Sequence, residues 1–159
     1  MAVIRLDLEI AAPPAMCFDL ARSVDAHIAS AGSSGERAVG GVTTGLLGPG
    51  DQVTWRGRHF GSVLELTSRI SAFDRPRHFR DEMVRGPFRM LVHDHYFDAV
   101  PAGTRMRDVF EFLAPFGAVG RLAERVVLTA HLRRFLAERA RVLKWLAESG
   151  EGNRFIGAA

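Results

Sequence analysis

The chain has 159 residues, 47% of them hydrophobic, which is one domain's worth of polypeptide with enough apolar material for a core. Its 21 Lys and Arg stand against 18 Asp and Glu, and the arginines are scattered among acids rather than clustered, so no nucleic-acid partner is expected. A lone Cys17 excludes an internal disulfide, no basic-then-apolar leader opens the chain, and no run nears the ~18 apolar residues of a membrane span. The expectation is a cytoplasmic protein with no stable membrane insertion.

Val3 to Ile10 alternates Ile4, Leu6, Leu8 and Ile10 with Arg5, Asp7 and Glu9, the period of a half-buried strand. Ala12-Pro13-Pro14 ends it. Pro14 suits the first turn of a helix, where its missing N–H had no partner, and a short helix to about Ala21 offers Met16, Cys17 and Leu20 to the core. Ser23 can cap a second short helix through Asp25, His27 and Ile28, which Gly32 stops; His27 reads there as a surface residue.

From Ser33 onward glycine and proline recur at strand spacing, predicting strands near 34–42, 51–57, 61–73, 78–84, 88–99 and 104–113. The segment 43–50, TTGLLGPG, is a Gly-rich loop with two exposed-looking leucines and neither the lysine nor the spacing of a phosphate cradle. Parity assigns the faces. Arg105, Arg107 and Glu111 must be wet, which turns Met106, Asp108, Phe110 and Phe112 inward. Asp94 and Asp98 mark the outer face of the preceding strand, leaving Leu91, His93, His95 and Phe97 inside. The same argument directs Phe79, Asp81 and Met83 inward, then Leu64, Leu66, Ser68 and Ile70, then Val53 and Trp55.

A long helix is expected from about Val119 to Glu148, after Gly117 and Gly120 and before Gly150. Leu128, Leu132, Phe135, Leu136, Val142, Leu143 and Leu146 share one face, while Val119, Leu122, Ala123, Val126 and Ala130 lie nearly opposite. At about 100° per residue a straight helix cannot bury both stripes against one sheet. Either it bends near Thr129, or the 119–130 stripe is left for a ligand portal or a second chain, as in a homodimer. Arg139 projects among Phe135, Leu136 and Leu143. A buried guanidinium needs an acid, for which Asp108 and then Asp81 are the inward candidates; otherwise it snorkels to the edge along its own methylenes. Residues 1–150 form a single domain on this reading, with 151–159 as a tail.

The order strand, two short helices, six strands, long helix resembles the START and birch-pollen-allergen-like (SRPBCC) superfamily. The run FRDEMVRGPFRMLVHDHYF, then GTRMRD and an Arg-bearing helix, looks like its bacterial polyketide cyclase/dehydrase-like branch. The resemblance spans nearly the whole chain. It implies an α+β helix-grip fold: a curved antiparallel sheet of about seven strands wrapped around the long C-terminal helix, with two short helices after strand 1. It also implies a deep, largely apolar cavity, and no invariant catalytic triad. Superfamily members include aromatases, cyclases and lipid or quinone carriers.

On that frame the cavity walls are expected from Val53, Trp55, Leu64, Leu66, Phe79, Met83, Leu91, Phe97, Phe110, Leu132, Phe135 and Leu136. Asp81, His93, His95, Asp108 and Arg139 are the convergent polar groups. His93 and His95, at i and i+2 on one strand face, could share a metal, but no second Cys or His motif supplies a further ligand at recognised spacing. No metal and no cofactor are therefore expected. A His/Asp cluster is expected in its place, since buried polar groups must satisfy one another. His59 is placed near the cavity mouth, and Trp55 could stack on a planar ligand. Binding of a small hydrophobic ligand (lipid, polyketide or quinone-like) is favoured. A cyclase or dehydrase using His93, His95 and Asp108 as general acid and base, and a non-catalytic interaction module using the 119–130 stripe, are the alternatives. A nucleophilic route lacks support: there is no G-x-S-x-G, and Cys17 has no nearby His signal.

Overall fold

The structure is a computed structural model that describes residues 1–115, 117 and 127–157. Its elements in chain order are β1 (Ala2–Ile10), α1 (Pro14–Ala21), α2 (Val24–Ser30), a 3-10 turn (Gly32–Ser34), β2 (Arg37–Gly41), β3 (Gln52–His59), β4 (Ser62–Asp74), β5 (His78–Arg85), β6 (Met90–Val100), β7 (Gly103–Leu113), α3 (Thr129–Ser149) and α4 (Asn153–Ile156). The seven strands form one antiparallel sheet in the order β1-β7-β6-β5-β4-β3-β2. From β2 onward the strands meander, and β1 closes the other edge by pairing with β7, Ile4 opposite Phe110 and Leu8 opposite Met106. The helix pair α1–α2 connects the two edge strands, and α3 lies across the concave face.

Local chemistry agrees with these boundaries. Pro14 occupies the first turn of α1, and the Ser23 hydroxyl caps α2 by accepting from the Ala26 N–H at 3.2 Å. The first strand of the meander starts at Arg37 rather than near 34, because Gly32–Ser34 form the 3-10 turn. The convex face carries a lattice of cross-strand ion pairs: Arg56–Glu65, Arg69–Glu82, Arg80–Asp94 and Arg107–Asp98. Asp94 faces outward as parity demands, yet its side chain is only 8% exposed because Arg80 and His78 close over it.

Two clusters fill the concave side. Beneath α1, Phe18 meets Phe73, Phe79 and Phe97 edge-on at 5.2, 5.2 and 5.5 Å. In the second cluster Leu132 and Leu136 of α3 pack on Ile4, Leu91, Phe110 and Phe112. The loop leucines divide: Leu46 is half-buried, whereas Leu47 is buried in the first cluster, contrary to the exposed reading. Backbone bonds from Val24 N–H to Gly45 O and from Leu47 N–H to Arg22 O seat that loop on the α1–α2 junction.

Within the described part of α3, Leu132, Leu136 and Leu146 are buried, while Ala130 lies away from the core. Val119, Leu122, Ala123 and Val126, the rest of the first stripe, lie outside the described residues. The segment after α3 folds back: Gly152 N–H donates to Leu146 O, Ser23 Oγ donates to Phe155 O, and Phe155 and Ile156 pack on the first cluster. No described helix is long and apolar enough to cross a membrane.

Gly103, in the β6–β7 turn at φ +135°, is held where an added Cβ would lie 2.3 Å from Ile10 O and 2.8 Å from Ala12 N. Gly45 shares a positive φ (+81°) with open space around it. Gly45→Ala is expected to cost about 1 kcal/mol from backbone strain alone. Gly103→Ala should cost clearly more, because β1 and β7 must also part; urea melts of the two variants compare them.

Candidate functional site

Between the concave sheet and α3 lies a cavity of about 400 Å³. Trp55, Leu64 and Leu66 of β3 and β4 form one wall, Phe79, Leu91 and Phe110 of β5 to β7 the floor, and Leu132, Phe135 and Leu136 of α3 the roof. Asp81, His93, His95 and Arg139 supply polar groups to it, as the strand and helix phases place them.

Three expected wall residues and one expected polar group are elsewhere. Val53 and Phe97, each 1% exposed, fill the first core cluster instead, because α1, α2 and the 43–50 loop cover that end of the sheet. Met83 turns its thioether over Gly86 at the β5–β6 turn, where an added Cβ would meet Sδ at 2.6 Å. Asp108 sits behind His95 and borders a separate void of about 30 Å³.

The inner polar group is built by strand register. His95 lies opposite Phe79 on β5 and opposite Asp108 on β7, while His93 lies opposite Asp81 and Phe110. His95 Nδ1–H donates to Asp108 Oδ1 at 2.7 Å, and His95 Nε2 is 3.1 Å from Asp81 Oδ2. Burial opposes a charge on this ring, but the two carboxylates more than offset it, and its pKa is raised to about 9. Asp108 and Asp81 are held below the ordinary carboxylate range against the opposing effect of burial, chiefly by His95 and His93.

His93 behaves oppositely. Burial, then the neighbouring His95 charge, lower its pKa and keep it neutral. Its Nε2 lies 3.5 Å from Asp108 Oδ1, close enough for a charge to be felt but without a hydrogen bond. His93 Nε2 and Arg139 Nε are the buried side-chain polar atoms with no hydrogen-bond partner among the described residues.

A second polar group lines the same cavity nearer α2. His27 stacks on Trp55 at 3.7 Å with the rings 14° apart. Arg139 Nη2 donates to His27 Nδ1 at 2.8 Å, which leaves His27 Nε2–H to donate to Glu36 Oε2 at 2.6 Å. Glu36 Oε1 is also 3.3 Å from His59 Nε2, and His59 Nδ1 is 3.2 Å from His131 Nε2. Burial raises the Glu36 pKa, but the bonds from His27 and His59 outweigh it and keep the carboxylate ionised. Burial and the Arg139 charge lower that of His27.

Two expectations are thereby corrected. His27 is not a surface residue, since α2 packs its ring against the cavity wall. Arg139 makes its hydrogen bond to His27 rather than to Asp108, which His95 already engages, or to Asp81. The sequence reading missed Glu36 and His131. His131 lies one turn before Phe135 on the same helix face, so its phase could have revealed it. Glu36 sits between the 3-10 turn and β2, where no periodicity points anywhere.

No protein-family model matches the sequence, and no curated protein sequence matches it either. Solved structures do match in shape. Protein TTHA0849 from Thermus thermophilus superposes over 94% of this chain and 99% of its own, with a TM-score of 0.76 and 15% identity. Ginseng major latex-like protein 151 from Panax ginseng covers 92% of this chain and 97% of its own, at 0.67 and 14%. Ara h 8.0201 covers 89% and 97%, at 0.60 and 15%.

The chain has the helix-grip fold. At such identities the likeness is one of architecture: a curved seven-stranded sheet, two short helices after the first strand, and a C-terminal helix in its grip. In the helix-grip frame the cavity is the space between grip and helix, and both polar groups line it or back onto it.

The pKa directions set a pH profile. A histidine with a raised folded pKa adds stability below its unfolded value, and that stability is lost as pH rises through about 9 for His95. His27 and His93, with lowered values, instead withdraw stability as pH falls below about 6.5, and the depressed carboxylates extend that loss at lower pH. Thermal stability is thus expected to peak near pH 6.5, to fall between about 6.5 and 9 as the His95 contribution is lost, and to fall again on the acid side. His95→Gln should flatten the alkaline fall; melts of both proteins from about pH 5 to about pH 11 measure it.

Proposed function

We propose that this protein binds a small hydrophobic molecule of lipid, polyketide or quinone-like character in the cavity between sheet and α3. The observation carrying this reading is the cavity itself, about 400 Å³ of largely apolar space with polar groups converging at one side. An interior this open forgoes packing that the chain could have gained by larger side chains, and such hollows are typical of ligand sites. Its polar groups would orient a carbonyl or hydroxyl on an otherwise apolar guest.

A second reading, that of a polyketide cyclase or dehydrase-type enzyme, draws on one observation. His93 is neutral, without a hydrogen-bond partner at Nε2 among the described residues, and on the cavity wall beside a charged His95. A neutral imidazole can take a proton next to a carbonyl while an adjacent imidazolium donates one, the pairing that aldol-type cyclisation and dehydration need. The sequence resemblance to the polyketide cyclase/dehydrase-like branch supports the same reading.

An apolar fluorescent dye should bind the folded protein saturably, one per chain. Phe135→Trp adds bulk to the roof and should weaken that binding by about tenfold or more, equal to about 1.4 kcal/mol. Dye binding unchanged in affinity and stoichiometry would sink an internal site roofed by Phe135.

A further inference from the structure

We propose that Asp81, His93 and His95 form a binding site for a divalent first-row transition-metal ion, one that keeps coordination positions open to the cavity. The three side chains each offer a donor atom, and these atoms all lie within 4.8 Å of one another. They are delivered by adjacent strands, since β5–β6 pairing places Asp81 directly opposite His93 and the i+2 spacing puts His95 on the same face. Sequence spacing alone offers two of these ligands, and the sheet register provides the third.

Three further observations point to a cation. The first is His93 Nε2, whose side chain is 6% exposed and which has no hydrogen-bond partner among the described residues. A buried imidazole nitrogen without a partner costs free energy, and a metal ion would satisfy it where no described protein group does.

The second is the position of Asp108. Its Oδ1 accepts from His95 Nδ1–H at 2.7 Å and orients the ring so that Nε2 points toward Asp81. Carboxylates that hold the far nitrogen of a ligating histidine in this way fix its tautomer and raise its basicity. Asp108, outside the donor triad and buried behind it, occupies that supporting role.

The third is charge. Glu36, Asp81 and Asp108 place three carboxylates on the cavity or directly behind its wall, against the guanidinium of Arg139, Arg22 being taken up by Asp19 and Glu65 by Arg56. The proton that His95 carries between Asp81 and Asp108 offsets part of this surplus, and a divalent ion in place of that proton would balance the whole of it. A bound anion would worsen the balance.

The donor set selects the class of ion. Two imidazoles and one carboxylate suit zinc, iron(II), cobalt(II) or nickel(II), whereas calcium and magnesium prefer oxygen-only shells. Three protein donors leave a fourth and further position vacant. Asp81, His93 and His95 all line the main cavity, so those positions face its interior. Water would fill them in the absence of a guest; a cavity guest bearing an oxygen donor could replace it, a consequence that rests on the binding reading above.

The test is a titration of chelator-treated, unaltered protein with Co²⁺ in metal-free buffer, followed by visible absorption. One Co²⁺ per chain with imidazole-type ligand-field bands is expected. Asp81→Asn and His93→Gln should each weaken binding by about tenfold or more, and Asp108→Asn by ~10–100-fold with the bands retained. His78→Gln, at the histidine paired with Asp94 on the convex face, should leave Co²⁺ binding unchanged. Phe135→Trp should weaken the dye but not Co²⁺, so the metal site and the hydrophobic-ligand reading can fail separately. If an altered chain unfolds by circular dichroism, paramagnetic broadening of the His93 and His95 ring resonances in the unaltered chain decides. Absence of stoichiometric Co²⁺ binding at millimolar concentration, binding indifferent to His93→Gln and Asp81→Asn in folded protein, or bound Co²⁺ that leaves those resonances sharp would overturn the proposal.

Discussion

His95 is held between carboxylates from the strands on either side of it, Asp81 on β5 and Asp108 on β7, and the polar side of the cavity depends on that clamp. Each ion alone would be costly in so buried a place, and their mutual hydrogen bonds are what allow them to remain. The clamp ties three adjacent strands by side chains as well as by backbone. It also sets the state of His93, whose neutrality follows from burial and from the charge beside it. Removing either acid would strand its partners, a loss of about 3–5 kcal/mol for broken buried pairs in general.

The cavity exists because the packing is uneven by construction. Beneath α1 the aromatic rings of Phe18, Phe73, Phe79 and Phe97 interlock edge to face, and the α4 segment adds Phe155 and Ile156 to that side. The second cluster involves fewer residues and leaves space between α3 and the sheet. A well-packed half can carry the stability that the hollow half gives up. Ion pairs covering the convex face contribute little individually, yet they keep that face wet and so define which side of every strand is the inside.

Arg139 links the two polar groups. It donates to His27 on one side, and its charge helps to hold both Glu36 and Asp81 ionised. With Nε left without a partner among the described residues, it faces the cavity with donor capacity in reserve. These three neighbours come from different elements: α2, the approach to β2, and β5. An event at one polar group is therefore felt electrostatically at the other.

Much of the fold was legible in the residues. Period-two alternation in β1, β6 and β7 assigned the faces, because a strand with one wet side cannot slip by one residue without reversing every side chain. Pro14, Ser23 and Gly150 marked helix ends through local backbone chemistry that needs no tertiary partner. The inward placement of Asp81, His93, His95 and Asp108 followed from the same parity. What parity could not show was which atoms would meet. That His93 Nε2 would lack a hydrogen-bond partner among the described residues while His95 gained two acids was decided by how β5, β6 and β7 are registered and twisted. His27 and Glu36, with no shared periodicity, face one another only because α2 docks against the wall containing Trp55. Leu47 and Phe155 likewise join the core through contacts with residues distant in sequence. Local pattern determines which side of an element is apolar; docking between elements determines what that side touches, and in this chain the His27–Glu36 contact of the second polar group belongs to docking.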